Sequence, residues 1–204
     1  MSHGVLALDL SHKKRICRHA GYFCALFFIL FAPPPASAAV IWETGAAISP
    51  ARDGGAFAVF DDSIYIVGAR TSTDDSRTFT RYGLSTAQAL QNIPIPRVGT
   101  AGAWYGDTFF VSGGETFSSS TVGYVSAWYR LTDSWYTLPP LLTPRNNHGM
   151  AVLGDTLYVI GGYDASFTAC DSVEVFRLGT DSQWRVGPAL PYPLTQFGVA
   201  VVAG

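Results

Sequence analysis

Past residue 38 the chain has no lysine, a single histidine (His148) and a single cysteine (Cys170). One thiol cannot close an internal disulfide, so an exported fold of this sequence relies on packing rather than covalent staples. His148 is the only imidazole there available as a base or a metal ligand. Nine arginines face fourteen acids over the same residues, a net charge of −5. That balance lacks the clustered basic face that phosphate neutralisation requires, which excludes nucleic acid as a partner class. There is no Walker loop, no dinucleotide fingerprint and no His-Glu-x-x-His. No Asn-x-Ser/Thr sequon occurs. No ten-residue stretch of this part carries helical periodicity. The expectation is no catalytic residue, no metal and no cofactor.

What the sequence does have is a repeated phrase. Gly154-Asp155-Thr156-Leu157-Tyr158-Val159-Ile160-Gly161-Gly162 restates Gly106-Asp107-Thr108-Phe109-Phe110-Val111-Ser112-Gly113-Gly114. Asp61-Asp62-Ser63-Ile64-Tyr65-Ile66-Val67-Gly68-Ala69 restates it again, with the second glycine lost. Gly68 to Gly113 is 45 residues and Gly113 to Gly161 is 48; Arg52, Arg97 and Arg145 step by the same intervals. Trp135 and Trp184 lie 49 residues apart, and Trp42 precedes Trp135 by 93, two periods. A near-continuous apolar run ending in glycines suits a strand covered on both faces. A polar stretch follows (163–171), then an alternating strand (172–178), a turn and a fourth strand after Trp184. Four short strands in a unit of nearly fifty residues describe the blade of a β-propeller. The expected blades are 54–93, 99–141 and 148–190, with a fourth strand near 42 and a first strand near 198–202. The first blade, lacking its tryptophan near 87–89 and its second glycine, is expected to pack least well. The units do not close a ring, and the chain reads as a truncated product or as half of a ring built by two copies.

The amino terminus is different in kind. Lys13, Lys14, Arg15 and Arg18 precede an apolar run at 22–31, then three prolines and Ala36-Ser37-Ala38. Basic, apolar and small-residue regions in that order read as a secretory signal peptide over 1–38. The apolar run is short of the about 20 residues that a permanent span needs. The mature part, 39–204, is therefore expected to be secreted or otherwise extracytoplasmic, with an uncleaved membrane anchor as the alternative.

The glycine doublet closing a second strand, the aromatic within it, the spaced tryptophan and the Pro-Arg turns (Pro96-Arg97, Pro144-Arg145) resemble Kelch repeats, across essentially all of 41–204. WD40 propellers differ, because no Trp-Asp dipeptide occurs. The resemblance implies an all-β, Kelch-type propeller of the galactose oxidase-like architecture, here an incomplete ring. It also implies a binding face at one end of the blades. Carried over by position, the residues after the glycine doublets are Arg70, Glu115 and Tyr163. Those two beyond the repeated arginines are Gly54, Gly99 and Asn147, with Gln196 in the next unit. Arg70, Glu115, Tyr163, Asn147 and Gln196 would suit a protein or carbohydrate ligand. The arginines, recurring in every blade, are expected to bond loop carbonyls. His148 stands where Phe197 stands one unit later, so it is expected to be packed, and Cys170 to be inert. Asp61-Asp62 reads as turn chemistry and Asp74-Asp75 as a weak cation candidate. Galactose-oxidase chemistry needs two histidines and a cysteine joined to tyrosine, which these residues do not supply. A Kelch-like sialic-acid mutarotase is the enzymatic alternative, with Glu115 assisting. Self-association through exposed blade faces and a non-functional fragment complete the expectations.

Overall fold

Strands form where β-branched and aromatic residues run together between glycine and acid turns. The computed structural model describes residues 5–8, 44–49, 51–71, 77–118 and 120–202. The expected signal segment (apart from 5–8), Trp42 and Asp74-Asp75 lie outside the described residues. Among the described residues all helix or strand structure is strand. After β1 (Val5–Leu8) the first sheet is β2 (Ala56–Phe60), β3 (Ser63–Val67), β4 (Phe79–Tyr82) and β5 (Ala87–Leu90). The second is β6 (Ala101–Tyr105), β7 (Thr108–Ser112), β8 (Val125–Tyr129) and β9 (Ser134–Leu138). Next comes β10 (Arg145–Asn146), then the third sheet, β11 (Gly149–Leu153), β12 (Thr156–Ile160), β14 (Val173–Arg177) and β15 (Arg185–Val186). A short β13 (Tyr163–Asp164) pairs with β10. The last strand, β16 (Gly198–Val201), pairs antiparallel with β1.

Each four-stranded sheet is an antiparallel meander in sequence order, which is a propeller blade, and the three blades do not close a ring. The first strands β2, β6, β11 and β16 lie side by side along the axis. The second strand of the middle blade is covered on both faces because a blade stacks on each side of it. In β7, Phe109 and Val111 join a cluster with Tyr65, Phe79 and Trp128 of the first two blades. Phe110, one residue along, joins the opposite cluster with Leu157, Phe176 and Trp184 of the third. Strand periodicity of two thus splits one strand between two cores.

Two tryptophans tie the blades together. Trp135 Nε1 donates to the Gln91 carbonyl (2.8 Å), and Trp184 Nε1 donates to the Pro139 carbonyl (2.8 Å). Each indole fills the gap to the preceding blade and hooks its exit loop. Trp184 precedes β15 rather than lying in it, and Phe197 likewise precedes β16.

The junction between the first two blades is packed with aromatic rings. Phe60 stacks on Trp104 (centroids 4.4 Å apart), and Phe79 meets Trp128 edge-to-face (4.8 Å). The tryptophan missing near 87–89 would serve the junction on the other side of the first blade, as Trp135 and Trp184 each serve the junction with the blade before them. The outer strand β5, where that tryptophan would stand, is mostly exposed.

Candidate functional site at the blade mouth

The repeated arginines frame the site. Arg97 and Arg145 are 0% exposed. Arg97 donates to the carbonyls of Gly113 (3.3 Å) and Tyr124 (2.7 Å) and to Ser126 Oγ (2.9 Å). Arg145 donates to the carbonyls of Gly161 (2.8 Å) and Ser172 (3.1 Å) and to Glu174 Oε1 (2.7 Å). Arg52, partly buried, bonds Thr78 Oγ1. Arg97 and Arg145 therefore tie the loop entering a blade to the second and third strands of that blade, and Arg52 ties its loop to the start of the third. Charges buried in this way hold the blade together and leave no arginine ring for an anionic ligand.

The residue after each arginine then pairs with the residue after a glycine doublet. Asp53 faces Arg70, Val98 faces Glu115 and Asn146 faces Tyr163. Arg70, Glu115 and Tyr163 thus lie at the same end of the blades as the inter-blade loops. One residue further on, Gly54, Gly99, Asn147 and Gln196 all adopt left-handed backbone, with φ of 67°, 66°, 51° and 54°. Glycine takes that conformation freely and asparagine tolerates it, whereas glutamine rarely does.

The shared conformation has a purpose. Gly99 N–H donates to the Gly54 carbonyl (2.6 Å), Asn147 N–H to the Gly99 carbonyl (2.8 Å) and Gln196 N–H to the Asn147 carbonyl (2.9 Å). An arc of main-chain bonds therefore links successive blades around the axis. A cavity of about 300 Å³ opens there, lined by these four residues together with Phe57, Met150 and Val199.

Side chains extend this arc into a polar network. Asn146 Nδ2 donates to Glu115 Oε1 (2.7 Å) and Thr121 Oγ1 (3.1 Å), and Asn147 Nδ2 donates to Asn146 Oδ1 (2.8 Å). Glu115 and Asn147 are so brought together, through a residue that sequence reasoning passed over. Asn146 stands where the other units carry Asp53 and Val98, and that change at a repeat position was the available signal. Arg70 and Gln196 are exposed and Tyr163 is partly buried. Their side chains share the end of the blades without joining this network.

His148 is buried, with Nε2 2.8 Å from Ser112 Oγ and Nδ1 without a partner among the described residues. Burial, with Arg145 and Arg97 nearby, holds its pKa down to about 3, so the ring is neutral. Such a ring sits at the blade junction as packing, and Phe197 takes the equivalent place against Gly149 and Gly161. Cys170 is partly buried and burial pushes its thiol up, away from the reactive thiolate. Asp61 and Asp62 are both left-handed, as in a two-residue hairpin turn joining β2 and β3. Among the described residues no three metal-ligating side chains converge.

The geometry agrees with the comparisons. A family model for the Kelch motif matches residues 144–191. Kelch-like protein 36 of Bos taurus is 30% identical over 171 residues, which is 80% of this chain and 28% of that protein. Kelch-like protein terF of Aspergillus terreus is 28% identical over 180 residues, 78% of this chain and 38% of the relative. Beta-scruin of Limulus polyphemus is 31% identical over 115 residues, 53% and 12% respectively. The chain thus spans less than two fifths of the length of each. The solved structure of YjhT superposes with a TM-score of 0.61 over 74% of this chain and 55% of that one, at 17% identity, a likeness of fold. Repeat spacing, blade sheets and these likenesses agree, and the chain belongs to the Kelch-repeat β-propeller proteins.

Proposed function

We propose that the chain is an exported interaction module, presenting the loops at one end of its Kelch blades to a protein or carbohydrate ligand. Kelch-repeat proteins generally mediate protein interactions. Support for the reading comes from the candidate residues lying at one end of the blades. Arg70, Glu115 and Tyr163 come from within blades, and Asn147 and Gln196 come from between them. A rigid β scaffold under polar loops is the arrangement that recognition sites use. Export rests on the basic, apolar and small-residue order of 1–38; no helix among the described residues is long and apolar enough to cross a membrane. No specific feature favours the mutarotase alternative, since the Glu115 carboxylate already accepts a bond from Asn146.

The test places a photo-crosslinkable residue at Arg70 on the mouth, or at Gln88 on the exposed outer strand β5, in the full chain made in a secreting host. Covalent adducts outside the cell from position 70 and none from 88 are expected. Equal labelling at both positions, or retention of the uncleaved chain in the cell, overturns the reading.

A further inference from the structure

The polar network at the mouth has a fixed direction. A carboxylate accepts hydrogen bonds and donates none, so Glu115 sets which way its neighbour's amide must turn. Asn146, 1% exposed, presents Nδ2 to Glu115 Oε1 (2.7 Å) and to Thr121 Oγ1 (3.1 Å). Both of its amide hydrogens are then spent, and Oδ1 is left to accept from Asn147 Nδ2 (2.8 Å). One carboxylate thus orients two amides in series across the junction of the second and third blades.

The series ends in two accepting oxygens. Glu115 Oε2 and Asn147 Oδ1 have no partner among the described residues, and neither is an orphaned buried atom, so both reach solvent. Gly99 leaves room for the second, since a Cβ there would lie 3.4 Å from Asn147 Oδ1 and 3.3 Å from Asn146 Cβ. Among the described residues Glu115 makes no ion pair. Arg97 and Arg145, from the loops entering the second and third blades, are buried and bonded elsewhere. A solitary exposed carboxylate is ordinary, but this one is half-buried and held by a buried amide that the earlier units, with Asp53 and Val98, lack.

We propose that Glu115 and Asn147 receive a basic side chain, arginine or lysine, of a protein partner, with Asn146 as the positioning residue that holds both acceptors. The proposal rests on the interaction-module reading and names the chemistry of its partner. Guanidinium and ammonium groups carry several donors, and they neutralise the charge that the fold leaves unpaired at Glu115. A sugar hydroxyl would take one bond and leave that charge in place. A phosphate or carboxylate would be repelled by it. The net charge of −5 past residue 38 draws a basic segment from further away.

The purified full chain is used to select from a phage-displayed library of random short peptides, with Glu115→Gln, Asn147→Gly and Asn146→Val as comparison proteins. Glutamine keeps an acceptor for Asn146, while glycine and valine are what Gly99 and Val98 supply one unit earlier. An unchanged melt verifies folding in each. Enriched peptides are expected to carry arginine or lysine and to lose at least about tenfold in affinity on Glu115→Gln. Asn147→Gly and Asn146→Val should each weaken them by at least about threefold, the latter with its salt dependence kept. On the parent, high salt should weaken them by at least about threefold. Enriched peptides without a basic residue, or basic peptides that bind Glu115→Gln or Asn147→Gly as tightly as the parent, overturn the proposal and leave the interaction reading standing. Unchanged affinity on Asn146→Val overturns its positioning role. No enriched peptide on the parent overturns both readings. Retention of the parent on neutral oligosaccharides, lost in Glu115→Gln, would reassign the carboxylate to carbohydrate and overturn the proposal.

Discussion

Arg97 and Arg145 occupy one position in successive blades, and the two blades treat the buried charge differently. Both guanidinium groups bond the same two loop carbonyls of their own blade. Arg145 then meets a carboxylate, Glu174 Oε1 at 2.7 Å, whereas Arg97 meets only the hydroxyl of Ser126 at 2.9 Å. Burial lowers the pKa of Arg97 to about 10, and its Nε has no partner among the described residues. The repeat therefore conserves the backbone work of the arginine while leaving its counter-charge to local choice.

The sharpest way to break that comparison is to remove the carboxylate. Glu174 also accepts from Leu142 N–H (2.7 Å) and Thr143 N–H (2.9 Å). Glu174→Ala orphans one buried cation and two amides, and should cost about 3–5 kcal/mol in urea denaturation. Ser126→Ala, removing one uncharged acceptor from the Arg97 cation, should cost less, about 1.5–3 kcal/mol. Equal losses would mean that the carboxylate contributes nothing beyond a hydroxyl.

The glycine doublets offer the next contrast. Gly114 has φ 100°, and a Cβ there would lie 2.6 Å from the Val98 carbonyl oxygen and from Thr100 Cγ2. Gly114→Ala should cost about 2–3 kcal/mol. Ala69 holds the matching place in the first blade at φ 88°, so Ala69→Gly should stabilise by about 0.5–1 kcal/mol. Both are read from the same denaturation midpoints, and a destabilised Ala69→Gly would show that the first blade has adapted to its methyl.

Much of this framework was legible in the sequence, because a repeat exposes whatever every blade needs. The doublets, the arginines and the hooks from Trp135 and Trp184 serve contacts that recur, so spacing alone located them. What spacing could not show is where one blade uses a neighbour's residue. Trp104 and Trp128 fall outside the tryptophan period, yet they fill the first junction. Asn146 joins Glu115 to Asn147 only because the pairing of β10 with β13 is matched by the Val98–Glu115 bridge one blade earlier. Left-handed backbone at Asn147 and Gln196 is likewise hidden, since the glycines at the same place in earlier units mark it only in hindsight.

A third contrast concerns pH. The junction of the second and third blades holds the pair Ser112 and His148 where the following unit has Ile160 and Phe197. His148 has a folded pKa near 3 against an ordinary value of 6.5, so the unfolded chain binds the proton first. Its contribution is fully present above about pH 6.5 and declines as pH falls toward about 3, by about 1.4 kcal/mol per pH unit. The double variant Ser112→Ile/His148→Phe should remove that slope between pH 6 and pH 4, measured as denaturation free energy against pH. An unchanged slope would place the acid sensitivity in other groups.

The smallest effect belongs to a surface pair that the second and third blades share. Arg130 meets Asp107 at 2.5 Å, and Arg177 meets Asp155 at 3.0 Å one blade later. Both pairs are well exposed, where attraction is screened and side-chain entropy opposes it. Asp107→Asn should therefore change stability by less than about 1 kcal/mol, and added salt should erase even that. Arg130 differs from Arg177 in one respect, because its guanidinium also lies 5.3 Å from the Phe60 ring of the first blade. That contact crosses a blade junction and persists in salt, so Arg130→Ala should cost more than Asp107→Asn at high ionic strength. Urea midpoints at two salt concentrations separate the cases. Were the two variants to converge in salt, recurrence of the ion pair rather than the aromatic contact would explain why an arginine stands there.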